Sequence, residues 1–223
     1  MTPIVIEKII RTKRRTISLI ISQDAKLVVR APLRTPDKMI ENFVREKSLW
    51  IRQKIDEMEE RQKASKKEFV NGENFLYLGK YYELRIVESG IIDIELNDKL
   101  CISRRILPYA RNYLKDWYKA EAKRIIHERS ASYIKTTGYS PFSIKISNAE
   151  RRWGSCTSKG TINFSWRLIM APLEIIDYVI VHEMVHLNQP DHSKIFWDKV
   201  GCILPDYEDR KKWLKENDLL LVI

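Results

Sequence analysis

Two periods of apolar residues run through this chain, one of two residues and one of three to four, and they predict an α+β fold. Residues 3 to 31 read as strands: Ile4, Ile6, Ile9 and Ile10 come first, then Ile17, Leu19 and Ile21, then Leu27-Val28-Val29 after the turn-prone Gln23-Asp24. Arg11-Thr12-Lys13-Arg14-Arg15 lies between the first two runs as a hairpin turn or a basic patch. Thr35 as N-cap and Pro36 at the first helical position open a helix. Its stripe of Ile40, Phe43, Val44, Trp50, Ile51, Ile55 and Met58 predicts one long helix to about residue 65. A second β-rich region follows in Phe75–Leu78, Tyr81–Val87, Ile91–Leu96 and Leu100–Ile102, with Gly79-Lys80 joining the first pair as a hairpin would.

Leu107-Pro108 opens another long helix, carrying Tyr113, Leu114, Trp117, Ile125, Ile126, Tyr133 and Ile134 and closed by Gly138. This start suggests two domains, a β-rich 1–107 with one long helix and an α+β 108–223. In the second, strands are predicted over Phe142–Ser147 and Thr161–Leu168, with Arg151-Arg152-Trp153-Gly154-Ser155-Cys156 and a turn at Ser158-Lys159-Gly160 between them. Pro172 starts a helix that is apolar almost all round through Ile175, Ile176, Tyr178, Val179, Ile180 and Val181, which predicts burial. A short helix over Ser193–Val200 and a basic amphipathic one from about Asp206 to Asn217 complete the chain.

That buried helix runs into Val181-His182-Glu183-Met184-Val185-His186-Leu187-Asn188-Gln189-Pro190-Asp191-His192, which holds three of the four histidines. His182 and His186 are one helical turn apart and point from the same face, so two imidazole nitrogens can converge on one ion. Glu183 beside them is a carboxylate suited to accept a proton from metal-activated water. Pro190 ends the helix within a residue or two, and the returning chain can bring His192 in as third ligand. Two histidines and a glutamate on a buried helix need partners, because unpaired polar burial is costly, and a metal supplies them. His127, alone on its helix, reads as a surface residue.

Composition narrows the setting. Hydrophobic residues make up 44% of 223 residues, and no apolar run reaches the length that spans a bilayer, so no membrane partner is expected. The first residues lack a signal-peptide layout, and the three cysteines form no CxxC pair, which points to a reducing, cytoplasmic setting without disulfides. A net charge of +10 leaves nucleic acid open as a partner, although no long basic tail, RNA-binding signature or zinc finger is present.

Taken together, Arg152-Trp153-Gly154-Ser155-Cys156, Trp166-Arg167-Leu168, Ala171-Pro172 and His182-Glu183-x-x-His186-x5-His192 followed by Phe196-Trp197 resemble the YgjP-like metallohydrolase family, related to the SprT-like and Wss1-like zinc proteases. The resemblance implies a zincin-type domain with one Zn2+ per chain on His182, His186 and His192 and Glu183 as general base. The ligand spacing also equals that of metzincins. Here, however, Gln189 stands at their glycine, and no methionine follows Met184 to form a Met-turn. Gluzincins take a downstream glutamate as third ligand, for which Glu208 is the only substitute, and His192 ranks above it.

Hydrolysis is the expected reaction, with a peptide or protein as first substrate. Two other readings stay open: a metal-dependent nucleotide phosphoanhydride hydrolase using Arg151 and Arg152 on phosphate, and a non-enzymatic metal-stabilised nucleic-acid-binding module. Arg151, Arg152 and Tyr207 are the candidates for steadying an oxyanion or binding substrate. Cys156 reads first as a small core residue, and an edge strand near the ion as a place to pair with an extended substrate.

Overall fold

The computed structural model describes residues 4–22, 24–88 and 93–223. Within them the chain is α+β, with small mixed sheets and helices in two compact units, Met1–Lys66 and Lys67–Ile223. No helix among the described residues is long and apolar enough to cross a membrane.

The first unit holds β1 (Ile6–Thr12), β2 (Ser18–Ile21) and β3 (Leu27–Pro32), followed by α1 (Asp37–Glu46) and α2 (Ser48–Ser65). The strands pair in the order β1-β3-β2, β1 parallel to β3 and β2 antiparallel to it. Arg11–Arg15 is therefore no hairpin turn, since β1 and β2 are not neighbours. The true hairpin joins β2 to β3 through a bend in which Ala25 has φ +57°; of the expected Gln23-Asp24 turn, Gln23 lies outside the described residues. The single helix expected from 35 to 65 is two helices, because Lys47 leaves the helical region at φ −93°, ψ 14°. The apolar stripe runs through this break because periodicity reports which face is buried and not whether the axis is continuous. Pro36, not Thr35, occupies the N-cap. Ile40, Val44 and Ile51 pack with Leu27, Val29 and Ala31 as the core of this unit.

The second unit begins with β4 (Asn74–Tyr77), β5 (Lys80–Val87), β6 (Ile94–Leu96) and β7 (Leu100–Ser103), in the order β4-β5-β7-β6. Of the strand expected over Ile91–Leu96, Ile91 and Ile92 lie outside the described residues. The division expected near residue 107 falls inside this unit. The reason is packing: Phe75, Leu84, Leu100 and Ile102 share one buried cluster with the later helix residues Ile176, Ile180 and Met184.

A 3₁₀ turn (Arg104–Tyr109) leads into α3 (Ala110–Thr137), whose C-cap Gly138 is left-handed and donates its N–H to Ile134. Then come β8 (Ser143–Ser147), β9 (Gly154–Cys156) and β10 (Thr161–Ser165), in the order β8-β10-β9. The strand expected to reach Leu168 stops at Ser165, because Trp166, Leu168, Ile169 and Met170 are all buried. An alternating strand would expose half of them, whereas the 3₁₀ turn Trp166–Met170 buries all four. Beyond it lie α4 (Leu173–Val185), α5 (Lys194–Ile203) and α6 (Tyr207–Glu216).

The β4–β5 hairpin grips the entry of α4. Its two-residue turn puts Leu78 and Gly79 at positive φ, +47° and +78°, and their N–H groups donate to the carbonyls of Ile169 and Met170 at 2.9 and 3.0 Å. A β-carbon at Gly79 would meet Pro172 Cγ at 2.6 Å, so glycine serves both the backbone angle and the approach. From α3, Arg129 forms a two-pronged ion pair with buried Asp177 on α4, its Nε donating to Oδ1 at 2.7 Å and Nη2 donating to Oδ2.

Candidate metal centre

α4 is buried along almost its whole length, from Ile175 through Val185 apart from half-buried His182. It ends at Val185, with His186 as its cap and a tight turn in which Leu187 donates to Met184 and Gln189 to Val185. The helix thus stops a few residues ahead of Pro190. The turn carries the chain back so that His192 Nε2 lies 3.1 Å from His182 Nε2 and 3.2 Å from His186 Nε2.

The three nitrogens converge tightly enough to hold one ion, since their ligand atoms lie within 4.8 Å of one another. A tetrahedral ion with metal–nitrogen distances of about 2.05 Å sets its ligands roughly 3.3 Å apart, close to the 3.1 and 3.2 Å that separate His192 from the other two. His186 Nδ1 lies 3.0 Å from the carbonyl of Gln189. A carbonyl only accepts, so Nδ1 carries the hydrogen and the Nε2 lone pair faces the other two rings. Burial, then the charges of His186, His192 and Lys211, push His182 down to about 3, so its imidazole is neutral at physiological pH and able to donate a lone pair. His192 is lowered as well, by desolvation and then by His186 and Lys211.

Phe196 is the floor on which all three rings rest. It is fully buried, with its centroid 4.9 Å from His182, 4.5 Å from His186 and 4.8 Å from His192. Trp197 lies parallel to His192 at 5.7 Å and stacks on Tyr207 at 5.3 Å, while Lys211 Nζ sits 3.9 Å above the Trp197 ring.

Glu183 is 5% exposed. One carboxylate oxygen takes a hydrogen bond from the backbone N–H of Cys156, whereas buried Oε2 has no partner among the described residues. Desolvation pushes the acid up to about 7, opposed by the positive charge of Arg152 and the Cys156 N–H. The carboxylate fits only because β9 begins with glycine. A β-carbon at Gly154 would lie 2.5 Å from both Cγ and Oε1 of Glu183.

The remaining expected residues are distributed unevenly. Arg152 is exposed but close enough for its charge to act on Glu183. Arg151 is exposed on the same loop. Tyr207 packs on Trp197 and donates its hydroxyl to Glu208 at 3.2 Å, and among the described residues Glu208 is not one of those whose ligand atoms gather with the three histidines. The Cys156 thiol is half-buried and held high by desolvation and then by Glu183. β9 is an edge of its three-stranded sheet.

Three residues went unread in the sequence as parts of the site: Gly154, Lys211 and Tyr178. Tyr178 alone left a local signal, since it stands one turn before His182 on the same helix face. Its ring meets His182 edge-on at 5.9 Å, and burial, then Glu183 and Tyr207, push its phenol up to about 12.

A family model described as the YgjP-like metallopeptidase domain matches residues 15–217. Among solved structures, the metallopeptidase zymogen of Pyrococcus abyssi abylysin is similar over 41% of this chain and 93% of that one, with 19% identity and a TM-score of 0.37. No curated protein matches.

Proposed function

The chain belongs to the YgjP-like metallopeptidase family, and from that premise we propose that it is a zinc-dependent peptidase working at His182, Glu183, His186 and His192. The observation that carries the proposal is the meeting of three imidazole Nε2 atoms beside a buried carboxylate whose Oε2 has no partner among the described residues. An all-nitrogen set of three imidazoles suits zinc, at one ion per chain. When bound, the ion supplies Lewis-acid chemistry, making water more acidic and polarising the scissile carbonyl.

The protein's own groups do the rest. Glu183 accepts a proton from the attacking water at Oε2 and returns it to the leaving amine. The Cys156 N–H holds its other oxygen, and the absence of a side chain at Gly154 leaves the carboxylate room to lie along β9. Phe196 and the Gln189 carbonyl keep the imidazoles oriented between turnovers. Arg152 and the phenol of Tyr178, which stays protonated at neutral pH, are the donors best placed to steady negative charge developing on the substrate. Peptide or protein is the substrate class that follows from the family.

A nucleotide phosphoanhydride hydrolase is the rival reading, favoured by the positive charges of Arg152 and Lys211 that reach Glu183 and His182. One experiment separates the two: zinc-loaded protein is offered a mixed peptide library and nucleoside triphosphates, with Glu183→Ala as control. Peptide cleavage lost in the variant while zinc content stays near one per chain supports the proposal. Nucleotide hydrolysis alone, lost in the same variant, transfers the site to the rival.

A further inference from the structure

We infer that the first unit carries a second binding site, independent of the metal centre, for single-stranded nucleic acid, built at the basic end of its sheet around Trp50. The net charge of the chain is unevenly held. Residues 1–66 contain 16 of the 40 basic residues but only 9 of the 30 acidic ones, and so carry +7 of the total +10. The strand register gathers part of that excess at one place. Thr12 pairs with Pro32 and Ser18 with Arg30, so the ends of β1 and β3 and the start of β2 share one end of the sheet. Lys13, Arg14 and Arg15 in the β1–β2 connection, Arg30 on β3 and Arg34 just past it all belong to that end. All but half-buried Arg14 are exposed.

Ser18 joins this basic end to an aromatic groove. Its hydroxyl accepts from Arg14 Nη1 at 2.8 Å, and it lines an open groove of about 490 Å³ together with Leu19, Phe43, Lys47 and Trp50. Trp50 is 41% exposed although its neighbour Ile51 is fully buried in the core of the unit. The core therefore does not account for the indole. Lys47 stands exposed beside Phe43, sharing an ion pair with Glu46 at 2.8 Å.

A groove with an indole and a phenyl ring in its walls and cations at its rim matches what an unpaired strand presents: flat bases to stack and a phosphate on every nucleotide. An acidic peptide would satisfy the cations but leave the indole unused. A duplex would keep its base faces inside the stack.

The 223-residue protein is titrated into a fluorescein-labelled oligothymidylate of about 20 nucleotides and followed by fluorescence anisotropy at about 50 and about 200 mM salt. Binding at the lower salt, weakened at least about tenfold at the higher, is expected. Trp50→Ala should weaken it roughly 5- to 100-fold, Trp50→Tyr should retain most of it, and Lys47→Glu combined with Arg14→Glu should abolish it. His192→Ala should bind as the wild type does, which separates this site from the metal centre. Melting curves check each variant, and Trp50→Tyr serves if the alanine variant unfolds. The proposal is overturned by an absence of binding at low salt, by binding indifferent to all of these substitutions, or by polyglutamate or anionic phosphatidylserine vesicles competing as well as the oligonucleotide.

Discussion

The α-carbon of Gly154 faces the carboxylate of Glu183 so closely that a single methyl group between them would sit 2.5 Å from Cγ and Oε1. No real β-carbon tolerates that distance, so the glycine at the start of β9 and the acid of α4 form one structural unit. Gly154→Ala is therefore expected to displace the carboxylate, lower kcat by about 100-fold or more, and leave zinc on the histidines. Kinetics and metal content measured on the same sample check this; unchanged kcat would mean that the strand yields instead.

The buried acid also makes a prediction about the metal-free protein. Its folded pKa, about 7, lies above the ordinary 4.5. The folded state then holds the proton more tightly, so this contribution to stability is complete below about pH 4.5 and is lost as the pH rises through about 7. Glu183→Gln cannot ionise. At about pH 8 the metal-free variant should be more stable than the metal-free wild type by up to about 3 kcal/mol, with the difference vanishing in acid. Parallel urea melts of the two proteins across that range would refute the account if their stabilities changed alike.

His192 is exposed and lies beyond α4, which carries His182 and is capped by His186. His192→Ala should leave the fold intact and reduce zinc affinity by about 100-fold or more. In the wild type, zinc should raise the melting temperature, since a ligand bound only by the folded state stabilises it; the variant should lose most of that rise at equal zinc. Calorimetric zinc titration of both proteins is the check, and equal affinity would move the third ligand elsewhere.

Phe196 touches all three imidazoles and has no exposure. Phe196→Ala removes the floor and leaves a cavity, which should destabilise the protein by about 3–5 kcal/mol. Phe196→Leu should cost less and still loosen the rings. A melting temperature unchanged by the alanine variant would contradict the packing described.

Arg129 and Asp177 tie α3 to α4. Arg129→Met leaves a carboxylate that is only 5% exposed without its cation, with the Tyr133 hydroxyl as its remaining partner, at a cost of about 3 kcal/mol, while Arg129→Met with Asp177→Leu should recover much of it. Chemical denaturation of the single and double variants measures both values, and a harmless single substitution would show the pair to be dispensable.

The gathering of the candidate residues was legible in the sequence wherever it depended on local geometry. His182 and His186 share a face because a helix repeats every 3.6 residues, and Glu183 lies beside them for the same reason. His192 could be joined to them because Pro190 marks a stretch that cannot stay helical, although the turn itself is made just ahead of it, at residues 187–189. The β4–β5 hairpin, the α3 cap at Gly138 and the burial of α4 were readable on the same terms, from turn residues and periodicity. Tertiary structure decided whatever depended on which distant segments meet. Pairing β1 with β3 instead of β2 removes a hairpin that the local pattern favoured, and a shared core draws β4–β7 into the unit of α4. Gly154 became part of the site only when β9 folded beside Glu183, and Lys211 only when α6 laid it over Trp197. Periodicity records the face that each segment buries, whereas its partner is chosen by the packing of the whole chain.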